Sequence, residues 1–60
     1  MTQLYKMRKL RKMRLREVGE RLGITPQGVK QQETTGIKKM STAARYAKAL
    51  NCKPLDIIEL

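Results

Sequence analysis

Four consecutive residues, Gly23, Ile24, Thr25 and Pro26, constrain this chain more than any other stretch. Gly23 supplies the left-handed residue at which a helix ends. Pro26 lacks an N–H and so suits the first position of a new helix. Thr25, between them, has a hydroxyl that caps the free N–H groups of that helix. One helix must therefore stop and another start within three residues, meeting at a sharp corner with Ile24 tucked under it. Before the corner, Val18 and Leu22 repeat at i, i+4 on one face. After it, Val29 is the inward anchor. Gly19 sits mid-helix, where it costs about 1 kcal/mol relative to Ala. The packing reason expected there is a second helix crossing close by.

The rest of the chain reads as further short helices. Thr2 caps a helix over residues 3–11 with Leu4, Met7 and Leu10 inward. Met13 fills the space between that helix and the next. Arg14 stands where Ser, Thr or Asp would cap the second helix, so Arg14 and Arg16 gather positive charge at its positive end and would welcome a phosphate. Residues 34–39 read as a loop, and Ser41 or Thr42 caps a helix ending near Asn51, with Met40, Ala43, Tyr46, Ala47 and Leu50 on its inner face. Pro54 opens a last short helix over residues 55–59. Leu55, Ile57, Ile58 and Leu60 offer more apolar surface than so short a helix needs, which points to a subunit interface or to a tail folded on its own core.

A 60-residue chain makes one domain, residues 1–60. With no Trp or Phe and a core of Leu, Met, Ile, Val and Ala, it suits small packed helices, so an all-α fold is expected. The net charge of +9 asks for a polyanion, most often nucleic acid. Seven of the fourteen basic side chains fall in the first sixteen residues, as a phosphate-binding arm or as a solvated helix face. With no histidine and one cysteine, Cys52, neither a zinc site nor an internal disulfide is expected. No cofactor is implied. Scattered acids and the lack of a phosphate loop argue against an enzyme. No apolar run reaches a membrane span, and the reading is a cytoplasmic protein in a reducing compartment.

Two helices crossing at a short turn, the second carrying Gln27, Lys30, Gln31 and Gln32 outward, have the geometry of a helix-turn-helix. Glutamine presents a donor and an acceptor together and so matches the N6 and N7 edge of adenine. Gln27 and Gln31 lie one turn apart, Lys30 reaches guanine or phosphate, and Thr25 with the helix start holds a phosphate. Gly28 leaves a gap for close approach.

On these residues the chain resembles the Cro and phage-repressor type of helix-turn-helix DNA-binding domain, over nearly its whole length. The resemblance is carried by Leu4, Met7 and Arg8, by VGERLGIT, by Thr25, Gln27, Val29 and Glu33, by Gly36, and by AKALNC with Leu55, Ile57 and Ile58. It implies a five-helix, lambda-repressor-like fold in which Arg8 and Glu33 form a structural ion pair. Base contacts would fall at Pro26, Gln27, Lys30 and Gln31. Phosphate contacts would fall at the start of helix two, Arg14 and Arg16, and in the loop before helix four, Lys38 and Lys39. The chain departs from the family pattern in Pro26, which replaces a polar reader, in Leu15, which replaces a phosphate-binding Gln, and in Gln32, which replaces an apolar core residue.

The expectation is a regulator of double-stranded DNA, with neither a membrane nor a small-molecule ligand as partner. It is expected to act as a repressor, since no residues remain for an activation or sensing domain, and as a homodimer on a palindrome through Leu55, Ile57, Ile58 and Leu60. The alternatives are an antitoxin or restriction-system controller of the same fold, and a basic RNA- or protein-binding module without sequence readout.

Overall fold

The computed structural model describes all 60 residues, Met1–Leu60. Four α-helices follow one another: α1 (Gln3–Leu10), α2 (Leu15–Leu22), α3 (Pro26–Thr35) and α4 (Met40–Leu50). A single turn of 3-10 helix at Pro54–Asp56 stands where a fifth helix was expected. The chain then passes beside the α3–α4 loop, where Ile37 and Ile58 form an isolated parallel bridge and the Glu59 N–H donates to the Ile37 carbonyl at 2.6 Å. This pairing draws Ile57 and Ile58 inward, and no helical periodicity announces it.

Each helix has a local cause. Thr2 caps α1, its Oγ1 accepting from the Tyr5 N–H at 3.3 Å. α2 begins at Arg14 without a Ser, Thr or Asp cap. There the Glu17 carboxylate accepts the Arg14 N–H at 2.9 Å, half of a capping box in which the third helical residue reaches back. Gly23 closes α2 at φ 74°, and the Ile24 N–H donates to the Gly19 carbonyl at 2.9 Å. Thr25 caps α3 and Pro26 occupies its first position. α4 is capped two to three residues before the Ser41 or Thr42 cap expected, with Lys39 at the cap position and no side chain bonded there. Asn51 ends it in the left-handed conformation, φ 57°, which Asn tolerates better than most residues.

The core joins Leu4, Val18, Val29, Ile37, Ala43, Tyr46, Ala47, Leu50, Ile57 and Ile58, with Met7, Met13, Leu15, Leu22 and Ile24 packed around it. Four positions assigned inward or outward from the sequence fall otherwise. Leu10, at the last turn of α1, and Met40, at the first of α4, are exposed. Ile57 and Ile58, assigned to a subunit interface, are buried in the chain's own core. Burying them supplies apolar area that a chain of this size otherwise lacks.

What crosses Gly19 is the turn itself. A Cβ at this position would lie 2.7 Å from the Ile24 carbonyl oxygen and 3.3 Å from the Thr25 carbonyl carbon. Both are backbone atoms fixed by the corner, so they cannot step aside as a flexible side chain would. Gly19→Ala should therefore destabilise by about 1–3 kcal/mol, the cost of overpacking, outweighing the gain of about 1 kcal/mol in helix propensity. Urea denaturation checks this, and a stabilised Gly19→Ala variant would mean that α2 and α3 do not meet this closely.

Candidate nucleic-acid interface

α3 is held from beneath by Val29 and Glu33, both buried, and this anchoring turns Gln27, Lys30 and Gln31 to solvent. Gln27 and Gln31, four residues apart, stack on one helix face about 6 Å apart along the axis. Pro26 is exposed at the tip of the same helix. Thr25 Oγ1 accepts from the Gly28 N–H at 3.1 Å, which spends a lone pair and leaves the hydroxyl proton free to donate. Gly28 does not open a gap on the outer face. A Cβ there would meet Thr25 Oγ1 at 3.5 Å and Ile24 Cδ1 at 3.7 Å, so its free side faces the turn.

The buried pair fixes the angle of α3. Arg8 Nε donates to Glu33 Oε2, its Nη2 donates to Oε1 at 3.4 Å, and its Nη1 donates to the Met13 carbonyl at 2.9 Å. Both residues are 7% exposed. Thr2 Oγ1 adds a bond to the Glu33 carbonyl at 2.6 Å, so α1 grips the far end of α3 at a side chain and at the backbone. Neither charge of the pair is available to a base or a phosphate.

α3 runs two residues further than the sequence suggested, because Thr34 and Thr35 do not leave the helix. Their hydroxyls donate to the Lys30 and Gln31 carbonyls at 3.1 and 3.2 Å, the back-bonding by which β-branched hydroxyl residues are accommodated in a last turn. Gln32, which departs from the family's apolar preference, is half-buried, and its Nε2 donates to the Gly36 carbonyl at 2.8 Å. It ties the end of α3 to the loop that carries Lys38 and Lys39. The sequence reading sets Gln32 outward with Gln27, Lys30 and Gln31; it is instead turned partly inward, because its acceptor is a loop carbonyl.

Lys38 and Lys39 are exposed and line one recess of about 370 Å³ with Gln32, Thr35, Gly36 and Thr42. Lys38 also lines, with Lys30, a larger groove of about 680 Å³ that runs past Tyr5 and the end of α3. Arg14 and Arg16 are exposed at the start of α2, where the unpaired helix N–H groups add a partial positive charge. Arg11 and Arg21, unassigned from the sequence, serve the fold: their guanidinium groups donate to the Asn51 and Ala49 carbonyls at the end of α4, at 3.1 and 2.9 Å. No three His, Cys, Asp or Glu side chains gather as a metal site requires, and no helix is long and apolar enough to cross a membrane. Cys52 is half-buried, and desolvation, helped by Asp56 and opposed by Arg11, pushes its thiol pKa up.

Neither a curated protein nor a solved structure matches the chain significantly. A family model described as helix-turn-helix matches residues 4–57, from the first core residue of α1 to the buried Ile57. That span takes in α2, α3, the corner between them and the ion pair that ties α1 to α3. The chain therefore belongs to the helix-turn-helix family of the Cro and phage-repressor type, a family of DNA-binding regulators.

Proposed function

We propose that this protein is a sequence-specific regulator that lays α3 in the major groove of double-stranded DNA and acts as a repressor, as a homodimer on a palindromic operator. The observation that carries this reading is the outer face of α3. Gln27, Lys30 and Gln31 project from a helix whose other side is pinned by Val29 and the Arg8 and Glu33 pair. A reading helix must be rigid to discriminate bases, because bidentate bonds to base edges tolerate little misplacement. Arg14 and Arg16 at one end, and Lys38 and Lys39 at the other, suit the phosphates on either side of a groove.

With Ile57 and Ile58 in the core, Leu55 and Leu60 are the two expected interface residues that stay exposed, and Met1, Leu10 and Met40 are further exposed apolar side chains. A symmetric dimer would set two copies of α3 about 34 Å apart, one DNA turn. Selection of bound duplexes from a random pool tests the proposal. The expected result is enrichment of a palindrome with half-site centres one turn apart. Enrichment of an unpaired half-site would remove the dimer, and no enrichment would remove sequence-specific reading.

A further inference from the structure

The positive charge of this chain exceeds what the face around α3 uses. Of the fourteen Lys and Arg side chains only Arg8 forms an ion pair, and many of the others lie away from α3. Some of them gather at the C-terminal half of α4. Arg21, Arg45 and Lys48 line a groove of about 330 Å³ floored by Leu22 and Ala49, and no acid lines it. Arg11 reaches the same helix end at Asn51, and Lys53 follows two residues later. α4 packs on α2 and on the C-terminal turn, and no residue of α3 lines the groove. This surface is therefore separate from the one that carries Gln27 and Gln31.

Stabilising the end of α4 accounts for only part of this clustering. Arg11 and Arg21 already bond its last carbonyls, and a helix terminus repays only the charges within its last turn. Arg45 lies further up the helix, is exposed, and forms no ion pair. Arg45 and Lys48, three residues apart, repel each other on one face, a cost that a bound anion removes. The guanidinium of Arg21 is held by the Ala49 carbonyl, which orders part of the site in advance.

We propose that this α2–α4 surface binds the phosphates of a second DNA duplex while α3 holds the first, so that the protein bridges two duplexes. The inference rests on the DNA-binding reading above. A duplex is favoured because three cations, Arg21, Arg45 and Lys48, line one groove, more positive charge than one carboxylate side chain would neutralise. Arg45, Lys48 and Lys53 form no ion pair that a ligand would have to break.

The test uses two copies of the selected operator duplex, one with a donor fluorophore and one with an acceptor, and the full chain at low salt. The wild type should bring the two dyes together. The double variant Arg45→Glu, Lys48→Glu should abolish this energy transfer while binding of a single operator stays within about threefold, and circular dichroism should show intact helices. The milder Arg45→Gln, Lys48→Gln pair should lower the salt slope of bridging by about 2, near 0.9 for each lost phosphate contact. Single-duplex binding without energy transfer in the wild type would overturn the proposal and leave the groove to another anion, such as an acidic protein. Transfer that survives charge reversal would also overturn it, because the bridge would then run between two α3 faces of a dimer. Absence of duplex binding of any kind would instead be a failure of the underlying DNA-binding reading.

Discussion

Glu33→Ala should unfold a large fraction of the protein at room temperature. The substitution removes both carboxylate acceptors of the Arg8 guanidinium, leaves it only the Met13 carbonyl, and strands a positive charge that is 7% exposed. Breaking one side of a buried pair costs on the order of 3–5 kcal/mol, because the remaining charge stays desolvated without a partner. The total stability of a domain of 60 residues is itself only on the order of 3–9 kcal/mol, so the loss takes most of it. The pair is not thereby worth that amount. An apolar replacement of both partners, Arg8→Met with Glu33→Leu, should be far less damaging than either single change, since no buried charge is left over. A cycle of melting curves over the four proteins checks both statements. An unchanged melting temperature in Glu33→Ala would mean that Arg8 reaches solvent.

Ile57→Asp should be as severe, for a reason of packing. Ile57 is fully buried among the side chains of the core, and aspartate there leaves a cavity and an unpaired carboxylate together, a combination that costs more than about 4 kcal/mol. This variant therefore reports on folding and cannot report on self-association. Leu55→Asp and Leu60→Asp are the informative changes, because both sites are exposed and surface substitutions of this kind usually move stability by no more than about 0.5 kcal/mol. If the protein assembles as a homodimer through these residues, ultracentrifugation on the operator should show two protomers per site for the wild type and a loss of the second in the Leu55→Asp, Leu60→Asp protein. Two protomers per site in that variant would place the contact elsewhere.

What could be read from the sequence was local, and what escaped was long-range. The corner at Gly23 and Pro26 was legible because glycine, threonine and proline each permit few backbone states, so their order fixes a stop and a start. The outward face of α3 followed from the spacing of Val29 and the residues around it. The helix beginning at Met40 was placed late because serine and threonine signal a cap whether or not the backbone uses them. The fate of Ile57 and Ile58 was hidden because it depends on Ile37, some twenty residues earlier, through a bridge of one residue pair. A composition argument can show that apolar surface is in excess, but not whether the same chain or another covers it. The role of Gln32 was hidden for the same reason, since a polar residue in a core position is accounted for only when its acceptor, the Gly36 carbonyl, is seen.

That α3 reads bases while the α3–α4 loop holds phosphates is tested most directly by paired titrations of Gln31→Ala and Lys38→Ala against the selected operator and an unrelated duplex over a salt series. Gln31→Ala should cost about 1–3 kcal/mol on the operator, relax selectivity at one position of each half-site, and leave the unrelated duplex nearly unaffected. Lys38→Ala should weaken both duplexes alike and lower the slope of log affinity against log salt by about 1. The contradicting result is the exchange of these roles: altered sequence preference in Lys38→Ala, with only a change of salt slope in Gln31→Ala.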